Sequence, residues 1–72
     1  MEDTKINLFF DKATLYKDLQ IKVHLTMYNG FVYNGMITEV KPDFFLLDDH
    51  RKGIMPVFFL ELVDIEKWEE EK

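Results

Sequence analysis

The chain has no cysteine and only three glycines and two prolines among its 72 residues. Without thiols there is neither a disulfide framework nor a thiolate zinc site, and a reducing, cytoplasmic compartment is the expectation. No apolar stretch approaches the roughly 20 residues needed to span a bilayer, and Met1-Glu-Asp-Thr-Lys5 carries no basic leader followed by an apolar run, so no membrane partner is expected. Positive charge is scarce too: nine Lys and Arg stand against 14 Asp and Glu, a net charge of −5. That balance works against simple electrostatic attachment to nucleic acid or to anionic membrane, so any polyanion contact needs locally segregated positive charge. There is no Ser, His and Asp arrangement, no glycine-rich phosphate loop and no zinc spacing, so neither catalysis nor a cofactor is expected. Asp48, Asp49 and His50 crowd one segment, but sequential residues seldom converge on one ion, and a solvated turn is the expectation there rather than a metal site.

What is present is apolar and aromatic. A single domain of this length, residues 1–72, buries only about 60% of the surface its unfolded chain exposes, so something must supplement its core. With disulfides and metals excluded, oligomerisation remains.

Over residues 4–17, Ile6, Phe9 or Phe10, Ala13 and Tyr16 or Lys17 fall near helical spacing, with Asp3 or Thr4 as N-cap. The spacing predicts a short helix over about 4–17, capping one open end of a barrel; its extent is open, because Phe9-Phe10 and Thr14-Leu15-Tyr16 would suit an extended lead-in equally well. From Ile21 the period changes to two, with Ile21, Val23, Leu25 and Met27 on one face and Lys22, His24, Thr26 and Tyr28 on the other. Asn29-Gly30 predicts a type I′ reversal into a second strand from Phe31. A second Asn-Gly at 34–35 comes too soon for another hairpin and predicts a bend or bulge at Gly35. Lys41-Pro42-Asp43 breaks that strand. Phe44 to Leu47 form a third, Asp48 to Gly53 a polar turn, and Ile54 to Leu60 and Leu62 to Trp68 the last two. The barrel spans about 19–68, and 69–72 read as a solvated acidic tail.

Phe44 to Leu47 and Ile54 to Leu60 put apolar side chains on both strand faces. Either a neighbouring subunit covers the second face, or the long strand bends so sharply that its halves bury opposite faces within one chain.

The order helix, alternating strand, Asn-Gly hairpin, glycine bend, broken third strand and long final strands resembles the Sm-like family of Sm, Lsm and Hfq proteins. The resemblance runs from about Leu15 to Trp68, through Val23-His-Leu25, Asn29-Gly30, Tyr33-Asn-Gly35, Ile37, Phe44-Phe-Leu-Leu47 and Val57 to Ile65. It implies a mainly β fold: a short N-terminal helix and a five-stranded, strongly bent antiparallel SH3-like barrel. It also implies a homo-oligomeric ring of six or seven copies, the fourth strand of one paired to the fifth of the next, holding single-stranded RNA, U-rich tracts included, as a scaffold or chaperone. On that footing Lys41, Asp43, Phe44, Phe45 and Phe59 are candidate RNA-binding residues, and Arg51 and Lys52 candidate phosphate contacts on a second face. Val57, Phe58, Phe59, Leu62 and Ile65 are candidate interface residues, and Phe59→Asp is expected to break the assembly if that residue lies in the contact.

The sequence departs from the family's motifs. Counted from Gly35 without gaps, Lys41 occupies the acidic slot and Asp43 the stacking slot; a shift of one or two residues brings in Pro42 or Asp43 and Phe44 or Phe45. No register supplies the Asn that reads a base edge. Phe58-Phe-Leu-Glu61 stands where the Arg-Gly motif belongs, and Pro56 removes a donor from the fourth strand. An aromatic can still stack any base, at about 1–3 kcal/mol, so relaxed base specificity is expected. A barrel that binds protein, or one subunit of a hetero-oligomeric ring, is the competing expectation.

Overall fold

In the computed structural model, which describes residues 2–68, a helix α1 (Glu2–Leu19) precedes strands β1 (Val23–Met27), β2 (Val32–Val40), β3 (Phe44–Asp49), β4 (Gly53–Phe58) and β5 (Leu62–Lys67), with a 3-10 turn η1 (Phe59–Glu61) between the last two. The tail expected over 69–72 lies outside the described residues. The helix is longer than its sequence pattern indicates and already runs through Asp3 and Thr4, so neither is its cap. Its end is sharp. Gln20 takes φ 56°, its N–H donates to Lys17 O at 3.1 Å, and the Ile21 N–H donates to Tyr16 O at 2.9 Å. This paired closure satisfies the last carbonyls of the helix and swings the chain into β1.

The sheet is antiparallel in the order β4-β3-β2-β1-β5. β1 alternates as expected: Val23, Leu25 and Met27 are buried, and His24 and Thr26 half-buried. The β1–β2 reversal is not the type I′ turn, because Asn29 does not adopt positive φ; among the loop residues only Gly30 does, at 90°. The Gly30 N–H donates to Met27 O at 3.0 Å and the Met27 N–H to Phe31 O at 2.9 Å. That is the three-residue form of hairpin, in which one left-handed glycine closes the loop. The Asn29 side chain accepts the Phe31 N–H at 3.0 Å, so Asn29 acts through its carboxamide and not through its backbone.

Gly35 pairs in register with Val23 on one side and Asp49 on the other. The register shift of β2 lies between Ile37 and Glu39 instead. Gly35 is needed for a different reason: a Cβ there would overlap the backbone carbonyl of Asp48, at 3.0 Å from its carbon and 3.2 Å from Asp49 Cα. Two strands approach each other more closely than any side chain would allow.

One core fills the barrel. Phe9 and Ala13 of α1 join Val23, Leu25, Met27, Ile37, Phe45, Leu47, Val57, Phe59, Leu62 and Ile65, with Ile6 and Tyr16 packed against it. The helix thus closes one side of the barrel, resting on β2, β5 and η1. The extended lead-in is not adopted.

Candidate functional site

The β2–β3 loop and η1 come together. The Lys41 N–H donates to Phe44 O at 2.7 Å, closing the loop around Pro42 and Asp43, and the Phe59 N–H donates to Asp43 O at 3.1 Å. The two segments that the family resemblance singles out therefore form one surface. Their side chains divide sharply. Phe45 and Phe59 are 0% and 1% exposed and face each other at 5.4 Å between ring centroids. Buried this way, neither ring is open to a base, which corrects their expected place among the RNA-binding residues. Lys41, Pro42, Asp43, Leu60 and Glu61 are exposed, and Phe44 is half-buried against Phe58 at 5.1 Å. Lys41 Nζ already pairs with Glu39 at 2.9 Å, an exposed pair worth at most about 1 kcal/mol.

The expected interface residues divide in the same way. Val57, Phe59, Leu62 and Ile65 are no more than 1% exposed, their side chains spent on the chain's own core. Phe58 is 44% exposed, and Ile54, Leu60 and Val63 are also open. Leu60 and Val63 carry no sequence motif. The usable signal was parity: with Val57 inward, Phe58 points outward, and the 3-10 turn after it resets the phase.

A different constellation lies at the other end of β3. There the carboxylate of Asp49, itself buried, accepts the N–H of Arg51 at 2.7 Å and of Lys52 at 2.9 Å. This is the expected turn, with the carboxylate directed at the backbone. Lys52 Nζ lies 5.3 Å from the centroid of Tyr33, a cation–π distance. Beyond it a concavity of about 1070 Å³ is lined in part by Lys22, Tyr33, Asn34, Arg51, Lys52 and Trp68. His24, on the outward face of the alternating strand, is tied down: its Nδ1 lies 2.6 Å from Asn34 Oδ1, which accepts, and Trp68 lies tilted on its ring at 5.7 Å. Lys22, Arg51 and Lys52 are all exposed at this end, with Asp48 exposed among them.

The Lys52 N–H and then the Arg51 N–H hold the Asp49 carboxyl below the ordinary carboxylate range, against a smaller opposing effect of burial. A lowered folded-state pKa gives stability that is complete above the unfolded value of about 3.9 and is lost as pH falls through the folded value. Urea midpoints of the wild type and Asp49→Asn are therefore expected to differ at pH 7 and to converge below about pH 4. Parallel curves down to pH 2 would remove this carboxylate from the account.

No group of three or more His, Asp or Glu side chains gathers into a metal-holding cluster among the described residues. No described helix is long and apolar enough to cross a membrane.

No protein-family model matches the sequence, and no curated protein matches it. Among solved structures, the chain is similar to that of the pleiotropic translational regulator Hfq, with a TM-score of 0.71 at 19% sequence identity over 81% of this chain and 95% of that one. At that identity the likeness speaks for architecture alone, and the architecture is clear: an N-terminal helix on a five-stranded antiparallel barrel, the Sm-like fold.

Proposed function

We propose that this chain is a subunit of an Sm-like ring, closed by pairing β4 of one copy with β5 of the next, that holds single-stranded RNA as a non-enzymatic scaffold or chaperone in the cytoplasm. One observation carries the reading. β4 and β5 are the two outer strands of the sheet, and the residues along and between them, Ile54, Phe58, Leu60 and Val63, are 41–66% exposed. Open strand edges lined with apolar side chains are a liability unless another chain occupies them. The Hfq-like architecture supports a ring of six or seven copies as the form in which both edges are used.

RNA contact in this reading rests on Lys41, Asp43 and the half-buried Phe44 at the loop end, and on Arg51 and Lys52 as phosphate contacts at the other. With no amide or guanidinium at the loop end to read a base edge, selectivity among bases is weak. The acidic balance of the chain favours a second reading, a barrel that binds protein through the same edges. Titration of oligouridylate and oligoadenylate at two salt concentrations separates the two. The RNA reading expects comparable affinity for both, falling with salt because phosphate contact releases counterions. Failure of either oligonucleotide to bind at low salt would leave the protein-binding barrel. A chain that remains at 8.7 kDa when expressed alone would point to one subunit of a hetero-oligomer.

A further inference from the structure

Backbone hydrogen bonds have a phase, and here it can be followed to both open edges. The Phe59 N–H donates to Asp43 O and the Lys41 N–H to Phe44 O. Alternation along β4 from these bonds turns the backbone groups of Val57 and Met55 toward β3, and those of Ile54, Pro56 and Phe58 toward the free edge. On β5, the Trp68 N–H donates to Lys22 O, so Asp64 and Glu66 face β1 and Ile65 faces outward. Each edge has one anomaly. Pro56 has no N–H to offer an incoming strand. The Ile65 carbonyl already accepts from Lys12 Nζ of α1 at 2.9 Å, and the Ile65 N–H donates to the neighbouring Asp64 carboxylate, also at 2.9 Å.

The anomalies are complementary. We propose that the two edges meet in one register, Pro56 of one copy opposite Ile65 of the next, and that Lys12 supplies the hydrogen bond Pro56 cannot. In an antiparallel contact the residues whose groups point outward form the hydrogen-bonded pairs. The missing Pro56 donor then falls on the one carbonyl that a side chain serves, while the Ile65 N–H leaves Asp64 for the Pro56 carbonyl. No buried backbone group at this pair is orphaned. A shift of two residues either way aims the N–H of Phe58 or Ile54 at an oxygen Lys12 already occupies. The register also brings exposed Phe58 alongside the irregular stretch of β5 that carries exposed Val63, covering apolar surface on both copies. Paired residues share a sheet face, so the outer surface of β3 and β4, with Phe44, Leu46 and Phe58, runs on into the core face of the next β5. Both halves of the match are in this sequence, so the fitting partner is a second copy of the chain. Between assemblies, Asp64 and Lys12 keep this stretch of β5 from accepting a stray strand.

This rests on the ring reading above, and the experiment separates the two. In the proposed register Met55 lies opposite Glu66 of the next copy as a non-hydrogen-bonded pair, with Cα atoms about 4.5 Å apart, within disulfide reach. The native chain contributes no cysteine. Oxidised Met55→Cys/Glu66→Cys is expected to run as a ladder of covalent multimers, and Met55→Cys/Asp64→Cys, which matches a register shifted by two, is not. Lys12→Met should weaken assembly roughly tenfold, as loss of one hydrogen bond to a charged group does, and Pro56→Val should restore it in that background by returning a strand N–H. A ladder from the Asp64→Cys pair, a ladder from neither, or a Lys12→Met effect of equal size with Val at 56 would overturn the register while leaving the ring. A wild-type particle that never exceeds one chain would overturn the ring of identical copies, and this self-complementary register with it.

Discussion

Gly35→Ala is expected to cost about 3 kcal/mol of folding free energy, the upper part of the range for overpacking, because the group in the way is backbone and cannot rotate aside. The added Cβ would meet the Asp48 carbonyl and Asp49 Cα, fixed by the pairing of β2 with β3. A chain of this size holds roughly 4–11 kcal/mol in total, at 0.05–0.15 per residue, and the corresponding fall in Tm is roughly 12–24 °C. Gly30→Ala is the control. It sits at φ 90° with nothing within 4 Å of the added Cβ, so it costs only the left-handed penalty of about 1–2 kcal/mol. Thermal unfolding of the two variants decides the matter: a loss at Gly35 no larger than that at Gly30 would show that the paired strands give way to the added Cβ and that the close approach does not require glycine.

The second large effect separates two adjacent phenylalanines. Phe58→Asp places a charge on a surface that is 44% exposed, so the fold survives and the assembly does not: far-UV circular dichroism stays as in the wild type, while light scattering reports the mass of one chain. Phe59 cannot serve this purpose. It is 1% exposed in the centre of the core and packed on Phe45. Even Phe59→Ala should cost about 3–5 kcal/mol, and Phe59→Asp buries a charge as well and should leave the chain unfolded. Loss of assembly by Phe59→Asp would therefore say nothing about an interface. An unchanged mass for Phe58→Asp would count against the pairing of β4 with β5.

The same pair of residues marks where the sequence stops being legible. In Ile54-Met-Pro-Val-Phe-Phe-Leu60 every position is apolar, so hydropathy has no alternation from which to tell inside from outside. Phe44-Phe45 is the same case: the first ring is half-buried and the second sealed. The candidate site inherited that ambiguity, and two of its five base-contacting candidates, Phe45 and Phe59, turned out to be core. Where polar and apolar residues alternate, as in β1, both the element and its buried face could be read directly. The loops were legible as breaks but not as geometries. Asn29-Gly30 marks a reversal whichever residue takes the positive φ, and only the hydrogen bonds of Met27 show that Gly30 alone does.

Local chemistry therefore determined the helix, the five strands, the breaks at Asn29-Gly30 and Pro42, and the excess of apolar strand surface, because each depends on residues close together along the chain. Tertiary structure decided which of two neighbouring rings lies in the core, why position 35 must lack a side chain, and that Lys12 of the helix meets the Ile65 carbonyl 53 positions away. Those depend on the phase in which distant strands meet. Register shifts between Ile37 and Glu39 and between Thr26 and Met27 reset that phase, and nothing in the local residue pattern announces them.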